Sequence, residues 1–269
     1  MRDIFRWGEN IQMATTKNIQ SVERAFAILE SFQQSDDGER SVKEISEALG
    51  LNKSTAFGLI NTLTDLGYLQ QNEKNQKYYL GLKLLNFSNI IKVQNRIIRI
   101  VHPYLEQVSR KYGETAHCAV NRNDAVVYLD KVESTVSITI NTHIGTQNYM
   151  HCSGVGKCIL AYLPAEEQER ILSGPLVTKT FNTITNSEQL REEIRKVREQ
   201  GYATDNEEDS LGLSCVAIPV FSAPGKVVCA ISISGMTPRI QLALKGNLLQ
   251  DLKMAADSIY ASMSNMSNI

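Results

Sequence analysis

The sequence predicts an α+β protein of two domains: an N-terminal winged helix-turn-helix, a helical linker, and an antiparallel sheet with helices on one side. Three observations predict it. Residues 41–67, SVKEISEALGLNKSTAFGLINTLTDLG, form two short amphipathic segments with a tight break at Gly50. Residues 82–112 have a helical pattern whose apolar stripe is too broad for one neighbouring face. Beyond Gly113 the hydrophobic period changes to two. A chain of 269 residues with 42% hydrophobic content can bury a full core, and its length favours two domains over one.

In chain order, residues 1–17 read as a flexible leader, with Met13 as an alternative start. The first domain spans 18–80. SVERAFAILESF (21–32) predicts a helix with the stripe Val22, Ala25, Phe26 and Leu29, followed by a polar loop. Ser41 and Glu44 make an S-x-x-E capping box that puts Val42, Ile45, Ala48 and Leu49 on one face, and Gly50 suits the left-handed residue ending that helix. Asn52 offers the next N-cap, and Ala56, Leu59, Ile60, Leu63 and Leu66 repeat at three and four. Short strands at 68–71 and 77–80 flank a polar turn, which makes a wing directly behind the second helix. In that geometry the second helix enters a major groove and Lys74 and Lys77 of the wing reach adjacent phosphates. The linker, 81–112, has the width of a segment that also packs against a partner subunit, and Pro103 is expected to divide it into two helices.

The second domain, 113–264, opens with strands at 115–121, 125–133 and 135–142. Helices follow at 153–163 and 187–200. The latter is capped by Ser187, turns Leu190, Ile194 and Val197 inward, and ends at Gly201. Strands at 213–221 and 226–234 meet at the turn Ser222-Ala223-Pro224-Gly225, and a last helix starts at Pro238.

Composition excludes several classes. A net charge of -1 is not that of a protein that coats nucleic acid, and the first eighty residues carry nine basic side chains against eleven acidic ones. DNA binding must therefore rest on a few placed charges, helix-end contacts and doubling by dimerisation. No window offers the ~18 uninterrupted apolar residues of a membrane span, and the N-terminus lacks a signal-peptide pattern, so a cytoplasmic protein is expected. Five cysteines without C-x-x-C spacing argue for free, buried thiols rather than disulfides or a zinc module. No metal or cofactor is expected.

In the last two strands Val216, Ile218 and Val220 share a face, as do Cys229, Ile231 and Ile233, which makes those faces core. The opposite faces are small: Cys215 and Ala217, then Ala230, Ser232 and Ser234. Such a surface either meets solvent or leaves room for a ligand. Gly154-Val155-Gly156-Lys157 entering a helix favours the second, since free N–H groups there suit an anion such as a small carboxylate. It is not a phosphate-binding loop, which needs four residues between its glycines. His117-Cys118 and His151-Cys152 invite a metal or a nucleophile, but strand neighbours point to opposite faces, so His117 and Cys118 cannot serve one site. The acidic run Asp205, Glu207, Glu208 and Asp209 reads as a solvated loop.

The segments SVERAFAIL, NKSTAFGLINTL, KYYLGLKLL, HCSGVGKCILAYLP, VREQGYATDNEE, GLSCVAIPVF and AISISG, in that order over residues 18–263, resemble the IclR family of bacterial transcription regulators. The resemblance implies a winged helix-turn-helix, a dimerising linker and a GAF-like domain that binds a small organic or sugar acid, in a dimer or tetramer on palindromic double-stranded DNA. It places Gly154 and Val155 at a backbone anion site, Asp205 and Cys215 on the effector-pocket wall, Ser232 and Ser234 as hydrogen-bond donors, and Met150 as an apolar neighbour. Relatives commonly carry arginine where this chain has Gly58. Ser54, Thr55, Phe57 and Asn61 then remain as base readers, with Lys53 on phosphate. The implied function is a ligand-responsive, DNA-binding regulator. Two alternatives stay open: an enzyme with a thiol or hydrolytic site at Cys215 or His151, docked through the helix-turn-helix, and a pure interaction protein.

Overall fold

The computed structural model describes residues 18–35, 37–136 and 140–265. The leader read over 1–17 lies outside them. The chain divides into two compact units between Asn95 and Arg96.

In the first unit, α1 (Gln20–Ser31), α2 (Val42–Ala48) and α3 (Lys53–Asp65) enclose Ile28, Phe32, Ile45, Ala56, Ile60 and Leu63. The capping box forms as read: Ser41 Oγ accepts from Glu44 N at 3.2 Å, and Glu44 Oε2 accepts from Ser41 N at 2.7 Å. Gly50 has a φ of 61°, which fits the αL end of α2. Three details differ from expectation. The core-facing stripe of α1 is Ala25, Ile28 and Leu29, continued by Phe32 just past its end, while Val22 and Phe26 face outward, because α1 is apolar on two sides and only one meets the core. Ala48 and Leu66 are exposed at the ends of their helices, and Ser46 is buried instead, donating to Lys43 O. Asn52 has N-cap backbone geometry, but its side chain makes no cap bond.

The wing is β1 (Leu69–Gln71) paired antiparallel with β2 (Tyr78–Leu80), and Arg40 bridges to Tyr78 on the other side. Next comes α4 (Leu84–Gln94), which buries no residue and leaves Leu85, Phe87, Ile90, Ile91 and Val93 exposed.

The second unit begins with α5 (Arg96–Tyr112), which runs through Pro103. The expected break at Pro103 falls instead at Asn95, where the backbone is extended. Burial of Ile98, Ile100, Val101, Leu105 and Val108 on both sides of the proline holds the helix despite the lost N–H. Then follow β3 (Thr115–Arg122), β4 (Ala125–Val132), β5 (Gln147–Asn148), α6 (Gly154–Leu160), α7 (Ala165–Leu172), α8 (Ser187–Gln200), β6 (Ala203–Asn206), β7 (Leu213–Ala223), β8 (Lys226–Met236), α9 (Thr237–Lys245) and α10 (Leu248–Asn265). The sheet order is β5-β4-β3-β8-β7-β6, with every pairing antiparallel.

Helices cover both sheet faces, not one. Val216, Ile218, Val220, Cys229, Ile231 and Ile233 pack with α5, α9 and α10. The small residues Ala119, Ala217 and Ala230 admit α6 and α8 on the other face. In the described part of 135–142 there is no strand; residues 137–139 lie outside the description. β5, β6, α7 and the separate α9 have no counterpart in the sequence pattern. The cap of α8 is Asn186, accepting from Gln189 N at 3.0 Å, whereas Ser187 is its first residue and donates to Leu172 O. Gly201 ends that helix at a φ of 78°.

Candidate functional site

The α3 face away from its core carries Ser54, Phe57, Gly58 and Asn61, with Lys53 in the first turn. Phe57 is 50% exposed, Thr55 sits half-buried on the flank, and Asn61 is also half-buried. A Cβ on Gly58 would meet nothing within 4 Å, so no close backbone approach demands this glycine. Gly58→Ala is therefore expected to stabilise the chain by about 1 kcal/mol, read as a shifted denaturation midpoint at unchanged slope. In the wing, Lys74 is exposed, but Lys77 is engaged by Asp37 at 3.3 Å and Glu44 at 4.0 Å.

The second unit holds a recessed cavity of about 220 Å³ on the small-residue face of the sheet. That is below the ~300–1,000 Å³ of drug-sized sites, and it suits a small metabolite. β8 supplies Ser232 and Ser234, β7 supplies Leu213, Ser214 and Cys215, and β6 supplies Asp205. His117 of β3, Tyr128 of β4, Asn148 of β5 and residues 140–142 form the other side, and Ser153 and Val155 close the α6 end. Asp209 and Ser210 complete it. Lys131 positions the 140–142 segment by donating from Nζ to Ile140 O and Thr142 O, both at 2.8 Å.

Of the residues anticipated for a ligand, the fold brings Val155, Asp205, Cys215, Ser232 and Ser234 to this wall. Gly154 and Met150 stand behind it. A Cβ on Gly154 would lie 2.5 Å from Cys215 Sγ, so this glycine lets α6 pack on β7. Met150 is core, and its backbone leaves Gly156 no room for a side chain. Ser153 caps α6 by accepting from Gly156 N at 3.2 Å, and Ser153 and Val155 are the residues at this end of α6 that line the cavity.

The acidic run is not a solvated loop. Asp205 and Glu208 are buried, and Asp205 Oδ1 accepts from Glu208 N at 2.7 Å. Beneath the cavity wall Lys157 is fully buried, with Nζ 2.6 Å from Glu208 Oε1 and 3.3 Å from Glu193 Oε1. Burial alone would lower the Lys157 pKa, but Glu208 outweighs it and holds the ammonium above the usual lysine range. Burial, reinforced by the Glu208 charge, pushes Asp205 up to about 7.

His117 Nε2 lies 2.7 Å from Thr142 Oγ1, and burial holds its ring neutral, down at about 3. Cys118 points into the opposite core, as strand alternation requires. The Cys215 thiol is pushed up to about 12, first by burial and then by Asp205, so it carries no thiolate for catalysis. His151 is occupied at Nε2 by Val177 O at 2.9 Å. His117, Tyr128, Asn148, Ser153 and the 140–142 segment escaped the sequence reading as wall residues; the alternation that placed His117 and Cys118 on opposite faces was the one available signal.

The family description "IclR helix-turn-helix domain" matches residues 21–73, and "Bacterial transcriptional regulator IclR C-terminal" matches residues 91–261. Among curated relatives, the HTH-type transcriptional regulator XynR of Escherichia coli is 35% identical over 238 residues, covering 88% of this chain and 94% of the relative. The HTH-type transcriptional regulator KdgR of the same organism is 33% identical over 247 residues, covering 91% and 93%. The crystal structure of the Thermotoga maritima IclR superposes with a TM-score of 0.75 at 31% identity, covering 91% of this chain and 99% of that one. These relatives are regulators, so the enzymatic alternative falls. With its helix-turn-helix and its sheet domain each matched, the chain belongs to the IclR family of bacterial transcription regulators, as a ligand-responsive DNA-binding protein and not an enzyme.

Proposed function

We propose that the cavity on the small-residue sheet face is the effector site, and that it takes a small organic or sugar acid. The observation that carries this is the meeting of Ser232, Ser234, Cys215, Asp205 and Val155 on one recessed wall, where the serine hydroxyls stand beside the first turn of α6. Gly154 supports that wall by close packing, and Met150 backs it through the core. Ser54, Thr55, Phe57 and Asn61 read bases, Lys53 and Lys74 contact phosphate, and Lys77 joins them only on leaving Asp37. The protein works as a homodimer or homotetramer on a palindromic operator. The apolar residues that α1 and α4 leave exposed, Val22, Phe26, Leu85, Ile90 and Ile91 among them, support an interface between copies. Five free, buried cysteines fit a reducing cytoplasm, and among the described residues no helix is long and apolar enough to cross a membrane.

The test has two arms. Full-length protein is expected to retard a fragment from its own upstream region, with affinity falling steeply as salt rises; salt-independent binding, or none, contradicts the DNA-reading role. A thermal-shift screen of sugar acids and small carboxylates is expected to raise the melting temperature with at least one of them. A hit that persists unchanged in Ser232→Ala/Ser234→Ala places the ligand elsewhere.

A further inference from the structure

The cavity has an electrostatic peculiarity for a site that receives an acid. Two carboxylates, Asp205 and Asp209, line it, and no lysine or arginine does so among the described residues. Both buried cations beside it are committed elsewhere: Lys157 of α6 to Glu208 and Glu193 behind the wall, and Lys131 of β4 to Glu133 and to the carbonyls of Ile140 and Thr142. Glu208 itself has Oε2 buried without a partner, so this cluster has no positive charge to spare for a ligand.

Asp205 is the wall group closest to that imbalance. Its one side-chain hydrogen bond among the described residues is the one Oδ1 accepts from Glu208 N, which leaves Oδ2 without a partner. The groups facing it are Lys157 from α6, Cys152 from the segment before α6, Cys215 from β7, and Glu208 and Asp209 from the turn after β6; His117 and Tyr128 stand on the other cavity walls. His117 is neutral, and burial keeps the protons on Cys215 and Tyr128, so none of the three offsets an arriving negative charge. Two carboxylates brought together in a buried site hold a proton between them.

Resting on the effector reading above, we infer that the acid enters together with one proton from solvent, which resides on Asp205 and is donated from Oδ2 in a hydrogen bond to the ligand carboxylate. The site is then selective for monoanionic acids with hydroxyl or oxo neighbours for Ser232 and Ser234, and it discriminates against dicarboxylates, whose second charge meets Asp209 with no cation.

Calorimetric titration of the full-length protein with pyruvate, D-gluconate and malonate, at about pH 6, 7 and 8 in two buffers of different ionisation enthalpy, tests this. The expected result is binding of a monoanion that weakens about tenfold per pH unit above about 7, with proton uptake approaching one per ligand, and malonate at least about tenfold weaker. Asp205→Asn, which keeps the acceptor for Glu208 N and supplies a permanent donor, is expected to bind with no pH slope. Wild-type affinity independent of pH, a slope that persists in Asp205→Asn, or malonate binding as tightly as pyruvate overturns the inference. The wild-type proton count needs no variant, so misfolding of Asp205→Asn does not rescue it. If a probe binds in a Ser232/Ser234-dependent way without proton uptake, the effector cavity stands and only this inference falls. If no probe binds at any pH, both fall.

Discussion

Lys157→Ala is expected to destabilise the protein by about 3–5 kcal/mol, the largest single effect the structure predicts outside the apolar core. Lys157 is fully buried, and its ammonium is the counter-charge of Glu208, whose second oxygen already lacks a partner. Removing it leaves a desolvated carboxylate without a cation, and Glu193 alone cannot compensate because it is acidic too. Equilibrium urea denaturation measures the loss. Lys157→Met combined with Glu208→Leu is expected to recover most of it, since replacing a buried pair by apolar groups of similar volume is close to neutral. A double variant as unstable as Lys157→Ala would show that the shape of the lysine stem, and not its charge, is what the fold requires.

The second large effect is a pH-dependent gain from Asp205→Asn. The Asp205 carboxyl sits at about 7 in the folded protein, against about 3.9 for an unfolded aspartate. Between those values the folded state binds more protons than the unfolded one, so the stability Asp205 contributes is full below about pH 4 and is lost as pH rises through about 7. The loss is on the order of 4 kcal/mol. Asparagine has no such gradient. Relative to wild type, Asp205→Asn is expected to gain stability steadily from about pH 4 to 7 and hold the gain above. Parallel denaturation midpoints for the two proteins across that range would show that Asp205 titrates normally.

Local chemistry was legible wherever neighbours in sequence decide the structure. The Ser41/Glu44 box, the αL turn at Gly50, the wing and the alternation of β7 and β8 all follow from residues within a few positions of each other. Misreadings arose where a distant partner decides. Val22 and Phe26 have the spacing of a buried stripe, but the core takes Ile28 and Phe32 instead. Pro103 reads as a breaker, yet the sheet beneath α5 supports the helix across it. β6 is hidden because ATDN is polar, and its pairing with β7 makes it a strand. The cavity was half legible: the small residues of β7 and β8 announced one wall, while the wall from β3, β4 and 140–142 comes from segments with no shared motif. Lys157 could not be seen as buried at all, since Glu193 and Glu208 lie 36 and 51 residues away. The glycines that suggested an anion site proved to have a second reason, the close packing of α6 on β7.

In the function proposed above, a ligand in the Ser232/Ser234 cavity of the sheet domain controls DNA binding by the helix-turn-helix. Such control requires that the ligand bind two states of the protein with different affinity. Fluorescence anisotropy of a labelled upstream fragment, titrated with full-length protein with and without the best acid from the thermal-shift screen, measures it most directly. The predicted result is a ligand-dependent change in DNA affinity of roughly 5–150-fold in wild type, absent in Ser232→Ala/Ser234→Ala, with ligand-free DNA binding the same in both. An unchanged ligand response in the double variant would contradict it.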